Sequence, residues 1–318
     1  MTALMILLAV GIMALGGFVV YTILRDKAIR SRYPAHGHFT KVTGGKIHWT
    51  VTGNGQPLVL VHGLAGNLHN FSDLVDKLAA DYQVYCLDRP GSGYSTRSLN
   101  TDPSFNQQAK MIAEWMTLIG IESAVFVGHS MGGGISLNLA IHMPEKVQGL
   151  ALICPLTAPL TFTSTPLIRW YLRSKSLRIV VSKCFSPVIQ QRISRRQVSA
   201  IFKPETPNPD FDQRHGGALS MLSSAFLAAG DDLSGAQQSL QAQIPQYGAI
   251  KCPVSLLFGA DDRILPYRAH TEIIAHALPH ASITVMPERG HMLPITAVEA
   301  CADAIDSLPA LAKNNKRC

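Results

Sequence analysis

Charge is scarce in this chain of 318 residues: Asp, Glu, Lys and Arg together make up 15% of it. Mean hydropathy is +0.15, high for a wholly soluble protein. From Thr2 to Leu24 charge is absent altogether (TALMILLAVGIMALGGFVVYTIL). As a helix that run is about 35 Å long, enough to cross a hydrocarbon core of about 30 Å. No Lys or Arg precedes it, and it stops at Arg25-Asp26-Lys27 without an A-x-A-like site. A cleaved signal peptide would have a basic start, a shorter apolar stretch and such a site. A helix packed in the core of a domain would keep a polar face, which this run lacks. The expectation is an uncleaved single-pass anchor, with residues 1–32 as anchor and juxtamembrane segment. Arg25, Lys27, Arg30 and Arg32 follow the span and nothing basic precedes it. The positive-inside rule then favours the cytoplasmic side for the rest of the chain over a periplasmic or extracellular one.

Other absences narrow the class further. The six cysteines show no CxxC or paired spacing, which argues against a cysteine metal site or a disulfide framework. Cys86, Cys154 and Cys252 lie in or beside apolar runs, where the thiol acts as a small hydrophobe; this suits a reducing compartment. There is no internal repeat and no low-complexity segment. The Gly-rich run at 128–134 lacks G-x-G-x-x-G spacing and follows a late strand, so a dinucleotide site is a poor fit there.

What the chain does contain is a series of short apolar runs, several of them ending in a Gly-rich turn. They are Leu58–Val61, Val84–Leu87, Ala124–Val127, Leu150–Ile153, Val254–Phe258 and Ile283–Met286. Helical patterns such as Asn106–Ile119 and Ile135–His142 fall between them. Continuous apolar strands imply burial on both faces, hence an α/β fold with a mostly parallel sheet flanked by helices. Lys46–Thr52, preceded by Gly44-Gly45, suggests an antiparallel hairpin at the start. Between Pro155 and Ile244 the alternation stops, prolines accumulate and the pattern reads as short helices. The expected organisation is a core in two parts, 33–156 and 247–312, with a helical cap at 157–246 and a tail at 313–318.

Gly128-His129-Ser130-Met131-Gly132 fits G-x-S-x-G, with a buried strand before it and a helix after it. The turn is tight enough that side chains two positions either side of the serine would collide with backbone, which Gly128 and Gly132 avoid. Gly133 and Gly134 let the following helix pack close to the sheet. A serine hydroxyl is a weak nucleophile and needs a base, itself oriented by a third group. The order Ser…Asp…His is met by Asp261-Asp262 after one late strand and His291 after the last. Both lie at C-terminal strand ends, where open α/β sheets hold their sites. His291 is the expected base and an aspartate its partner. The oxyanion donors are expected to be the backbone N–H groups of Leu64, in His62-Gly63-Leu64-Ala65-Gly66, and of Met131. His62 would orient that loop, and His129, beside the serine, would be a bystander.

HGLAG (62–66), LDRPGSGYS (87–95), GHSMGG (128–133), GADDRILP (259–266) and RGHM (289–292) occur in this order. From about Gly37 to Leu308 the chain resembles an α/β-hydrolase. The resemblance implies a serine hydrolase with Ser130, Asp262 and His291 as triad, and no metal or organic cofactor. It places the acid three residues after the glycine, at Asp262, with Asp261 as the reserve. Epoxide hydrolases and haloalkane dehalogenases use an aspartate where this chain has Ser130. C–C bond hydrolases usually carry a tryptophan soon after the histidine, where Met292-Leu-Pro-Ile stands here. Within the family the anchor, the elbow and the LALICPLT strand are similar to membrane-anchored monoacylglycerol lipases and single-pass bacterial phospholipases. The implied activity is cleavage of carboxylic esters of acyl lipids. Acyltransferase or cofactor-free haloperoxidase chemistry on the same residues is the alternative, and a non-catalytic binding protein on this scaffold is the less favoured one.

From Thr157 to Pro204 there are nine basic residues and no Asp or Glu, an excess larger than the +7 of the whole chain. They are Arg169, Arg173, Lys175, Arg178, Lys183, Arg192, Arg195, Arg196 and Lys203, interleaved with Trp170, Tyr171, Leu172 and Phe185. Such a cap beside an anchor suits an anionic lipid surface, at about 1 kcal/mol per basic residue near it. An ordinary solvated basic face is the competing reading. Nucleic acid is not an expected partner, because no recognised module accompanies the charge.

Overall fold

The computed structural model describes residues 2–159 and 165–308. The expected tail, 313–318, lies outside them. A hairpin, β1 (His38–Val42) and β2 (Gly45–Thr52), opens the sheet, as Gly44-Gly45 suggests. There follow β3 (Gln56–Val61), β4 (Tyr82–Leu87), the two-residue β5 (Thr96–Arg97), β6 (Ala124–His129), β7 (Val147–Ile153), β8 (Val254–Gly259) and β9 (Ser282–Met286). The spatial order is β1-β2-β4-β3-β6-β7-β8-β9, with β5 on β2. Pairing is parallel from β4 through β9 and antiparallel around β2.

The continuous apolar strands are buried on both faces. Leu58 to Val61 and Ala124 to Val127 have no accessible surface, which stabilises the fold by about 1.5–3 kcal/mol for each large side chain. The last strand differs from the expectation. β9 is only half-buried along its length, because it is the sheet's edge and pairs with β8 alone. The flanking helices are α2 (Ser72–Leu78), α3 (Phe105–Leu118), α4 (Met131–His142), α10 (Tyr267–Ala277), α11 (Leu293–Thr296) and α12 (Val298–Asp306). α3 starts at Ser104, whose hydroxyl accepts from the Gln107 N–H, and it buries Trp115 and Met116.

Between β7 and β8 the chain forms α5 (Pro166–Arg173), α6 (Lys175–Val180), α7 (Ser186–Phe202), α8 (Phe211–Arg214) and α9 (Ser223–Gln243). The expected short helices include two long ones, of 17 residues (α7) and 21 (α9). Prolines did not break them: Pro187 sits in the first turn of α7, where a missing N–H costs nothing.

The N-terminal run continues without a break as α1 (Thr2–Arg32), 31 residues long. Its mean hydropathy reaches 2.6 over eighteen residues, so by length and composition it is able to cross a membrane. Residues 2–17 are exposed, and the rest of the helix docks on the α5–α9 segment. Arg25 donates to Gln190 Oε1 and the Met221 carbonyl, both at 3.0 Å. Asp26 accepts from the Ser223 N–H, and Arg30 reaches Ser224 Oγ and lies 4.9 Å over the Tyr94 ring. Phe18, still inside the apolar run, packs against Phe185, the ring centroids 5.4 Å apart and the planes tilted by 51°.

Candidate active site

Ser130 joins β6 to α4 with φ 54° and ψ −122°. Such a conformation costs a non-glycine residue about 1–3 kcal/mol and survives only where the surroundings impose it. Here backbone bonds impose it. The Ser130 N–H donates to the Ile153 carbonyl at 3.0 Å, and the Ser130 carbonyl accepts from Gly133, Gly134 and Leu156. Close packing completes the elbow: a Cβ on Gly132 would stand 2.0 Å from the Val61 carbonyl oxygen. Gly133 and Gly134 have a wider role than expected, since they also admit Pro155 and Leu156 after β7.

The loop after β3 lies directly against the serine. A Cβ on Gly63 would be 2.9 Å from Ser130 Cβ and 3.4 Å from its Oγ. The N–H groups of Leu64 and Met131 make no hydrogen bond to another backbone group among the described residues. Met131 is also the first residue of α4, where the helix dipole favours negative charge. His62 holds this loop. Its Nε2 accepts from the Arg89 N–H at 2.9 Å, so the Nδ1 hydrogen is the one that meets the Gly63 carbonyl at 2.8 Å. Burial and the Arg89 charge push its pKa down to about 3, so the ring is neutral.

At the ends of β8 and β9, Asp262 and His291 come together, with Oδ2 and Nδ1 2.6 Å apart. The other carboxylate oxygen, Oδ1, accepts from the N–H groups of Ile264 (2.8 Å) and Leu265 (2.9 Å). Burial alone would raise the Asp262 pKa; His291 and these two N–H groups outweigh it and hold the carboxyl below its ordinary value. Asp261 is exposed and is engaged through its N–H, which donates to the Arg289 carbonyl. Only one of the two adjacent aspartates therefore faces the histidine. Ser130 Oγ and His291 share no hydrogen bond among the described residues; such contacts are often loose in a free site and tighten with substrate.

Three features escaped the sequence. His129 is engaged with the site: its Nε2 lies 3.0 Å from the His291 carbonyl and its ring 4.9 Å from the His291 ring. Burial and His291 push its pKa down to about 3. Cys154 Sγ, an Asp262 oxygen and a His291 nitrogen lie within 4.8 Å of one another, a possible metal-ligand trio. Both Asp262 oxygens are already engaged, Oδ2 with His291 Nδ1 and Oδ1 with the N–H groups of Ile264 and Leu265. The third is Arg89, fully buried behind the 62–66 loop. Its signal was a lone cation among the glycines of LDRPGSGYS.

With this geometry in place, the sequence profile of the α/β hydrolase fold matches residues 56–298. The chain belongs to the α/β hydrolase fold family. Esterases and other hydrolases are among its relatives. It is 24% identical to a pimeloyl-[acyl-carrier protein] methyl ester esterase of Vibrio atlanticus, over 81% of this chain and 96% of that one. It is 30% identical, over 80% of its length, to the dihydrolipoyllysine-residue acetyltransferase component of the acetoin cleaving system of Cupriavidus necator. The chain spans less than two-thirds of the length of such acetyltransferase components, 64% in that organism and 65% in Pseudomonas putida. Its fold is also that of a bacterial membrane phospholipase A, with a TM-score of 0.65 at 23% identity over 96% of this chain and 97% of the other.

Proposed function

We propose that this hydrolase is a membrane-anchored serine esterase that cleaves carboxylic esters of acyl lipids. Ser130 Oγ attacks the ester carbonyl while His291 Nε2 takes its proton. The N–H groups of Leu64 and Met131 receive the oxyanion, and the leaving alcohol takes the proton back from His291. Water, activated by the same imidazole, then releases the acid and restores Ser130. Asp262 keeps Nδ1 protonated and stabilises the imidazolium. No step calls for a metal or organic cofactor. The observation that carries this reading is the 2.6 Å Asp262–His291 pair on the sheet edge that also bears the strained Ser130.

The lipid part rests on α1 and on the surface it meets. Leu167, Ile168 and Trp170 on α5 are exposed, as are Val180 and Phe185, and Phe185 touches Phe18 of the anchor. Eight of the nine basic residues between Thr157 and Pro204 are exposed as well; Arg178 is buried. An amphipathic face of this kind lies on a bilayer surface. The structural likeness to a membrane phospholipase A points the same way, and the basic residues after Thr2–Leu24 favour a cytoplasmic catalytic domain.

Graded soluble esters, glycerides and phospholipids offered in detergent test the substrate class. The reading expects hydrolysis to free fatty acid, fastest for long acyl chains; failure on every ester would contradict it. Transfer of the acyl group to an alcohol or thiol other than water is the second reading, favoured by the acetyltransferase relatives. Product analysis with such an acceptor present separates the two.

A further inference from the structure

Arg89 and Asp232 form an ion pair at 2.8 Å in which neither side chain has any accessible surface. Asp232 belongs to α9, between β7 and β8, and Arg89 to the loop after β4, so the pair bridges two parts of the fold. The guanidinium does more than balance a charge. Its Nε donates to the His62 carbonyl at 2.9 Å and its Nη2 to the Gly63 carbonyl at 3.1 Å, while the Arg89 backbone N–H donates to His62 Nε2. One residue thereby grips both residues that lead into Leu64. Asp232 and the Gln108 amide oxygen, which accepts from Nη1 at 2.7 Å, fix the guanidinium from the far side. The second Asp232 oxygen accepts from Arg97 at 2.7 Å and from the Gln108 amide at 3.2 Å.

A buried ion pair is a poor device for stability alone, since apolar residues of like volume often do as well. A fork aimed at two successive carbonyls is a good device for fixing a peptide plane. We propose that Asp232 is a positioning residue for the oxyanion hole: from α9 it locks Arg89, and Arg89 sets the 62–64 backbone so that the Leu64 N–H faces the developing negative charge. This inference rests on the serine-esterase reading above. It makes the segment between β7 and β8 part of the catalytic apparatus, in addition to any contact it makes with substrate or bilayer.

The test compares wild type with Arg89→Lys, Asp232→Asn and the double variant Arg89→Met/Asp232→Leu. Turnover of a soluble ester, the rate of Ser130 phosphonylation by a fluorophosphonate, and the melting temperature are measured on the full chain. Phosphonylation builds negative charge on an oxygen in the same hole, so it reports the hole without the deacylation step. The expected result is a fall of about a hundredfold to a thousandfold in kcat and in phosphonylation rate, of the size lost with one oxyanion donor, with KM within about threefold. In the double variant the melting temperature returns towards wild type while kcat stays low. Recovery of kcat together with stability in the double variant would overturn the inference, since the pair would then only dock α9 on the core. Wild-type rates in Arg89→Lys and Asp232→Asn would overturn it too. A wild-type protein that ignores the fluorophosphonate would instead remove the esterase reading and this inference with it.

Discussion

His129 and His291 are joined through the backbone, the Nε2 of the first lying 3.0 Å from the carbonyl of the second. That carbonyl is an acceptor only, so Nε2 carries the hydrogen. The neighbour of the serine therefore ties the elbow to the loop that bears the proposed base. The other ring nitrogen, Nδ1, has no hydrogen-bond partner among the described residues, and burial holds the ring neutral.

That buried neutrality has a pH consequence. His62 and His129 have pKa values near 3 and His270 near 4, each pushed down first by burial. The unfolded chain binds these protons below about 6.5 while the folded chain does not. Their contribution is thus fully present above about pH 6.5 and is lost as pH falls towards 4, at about 1.4 kcal/mol per pH unit for each ring. Denaturant melts from pH 7 to 4.5 should show this slope, and His129→Gln should flatten it by one ring's share. An unchanged slope would show that His129 is protonated in the fold.

The two adjacent aspartates should separate cleanly. Asp262→Asn is expected to lower kcat for a soluble ester by about 10⁴-fold, the loss seen when such a carboxylate is amidated. Asp261→Asn should stay within about twofold of wild type, because its side chain is exposed and the residue is engaged through its N–H.

Two glycines should fail in different ways. Gly63→Ala puts a methyl 2.9 Å from Ser130 Cβ and 3.4 Å from Oγ; kcat should fall about a hundredfold, the size of an oxyanion-donor loss, while most of the stability is kept. Gly132→Ala meets the Val61 carbonyl at 2.0 Å. Rigid backbone cannot yield there, so a stability loss of about 3 kcal/mol or more is expected, read as a fall in melting temperature.

Much of this was legible beforehand. Short continuous apolar runs such as Leu58–Val61, followed by turn residues, read as strands buried on both faces, and G-x-S-x-G between strand and helix located the elbow. What escaped was contact between distant parts of the chain. Nothing local to Asp232 tells that it meets Arg89, 143 residues away, and Ile283–Met286 reads like a central strand because composition does not reveal which strand is the edge. The basic stretch was legible as charge alone; that Arg178 is buried against Asp231 at 2.6 Å needed the packing.

The bilayer contact is testable through substrate presentation. Leu167→Glu/Trp170→Glu should lower turnover of lipid esters in vesicles about tenfold or more and leave a soluble ester within about twofold, because each apolar anchor contributes about 1.5–3 kcal/mol when buried. Reversing Arg195 and Arg196 should reduce the preference for anionic over zwitterionic vesicles, at about 1 kcal/mol per basic residue near the surface. Equal losses on soluble and vesicle substrates would mean that α5 serves the fold and does not contact lipid.

Covalent labelling tests most directly whether Ser130 is the nucleophile. The purified full chain is treated with a fluorophosphonate and followed by intact mass, peptide mapping and residual ester turnover. One adduct per chain is expected, on Ser130, formed in proportion to the activity lost, with neither adduct nor turnover in Ser130→Ala. Undiminished ester turnover by Ser130→Ala, or an inactivating adduct on another residue, would contradict it.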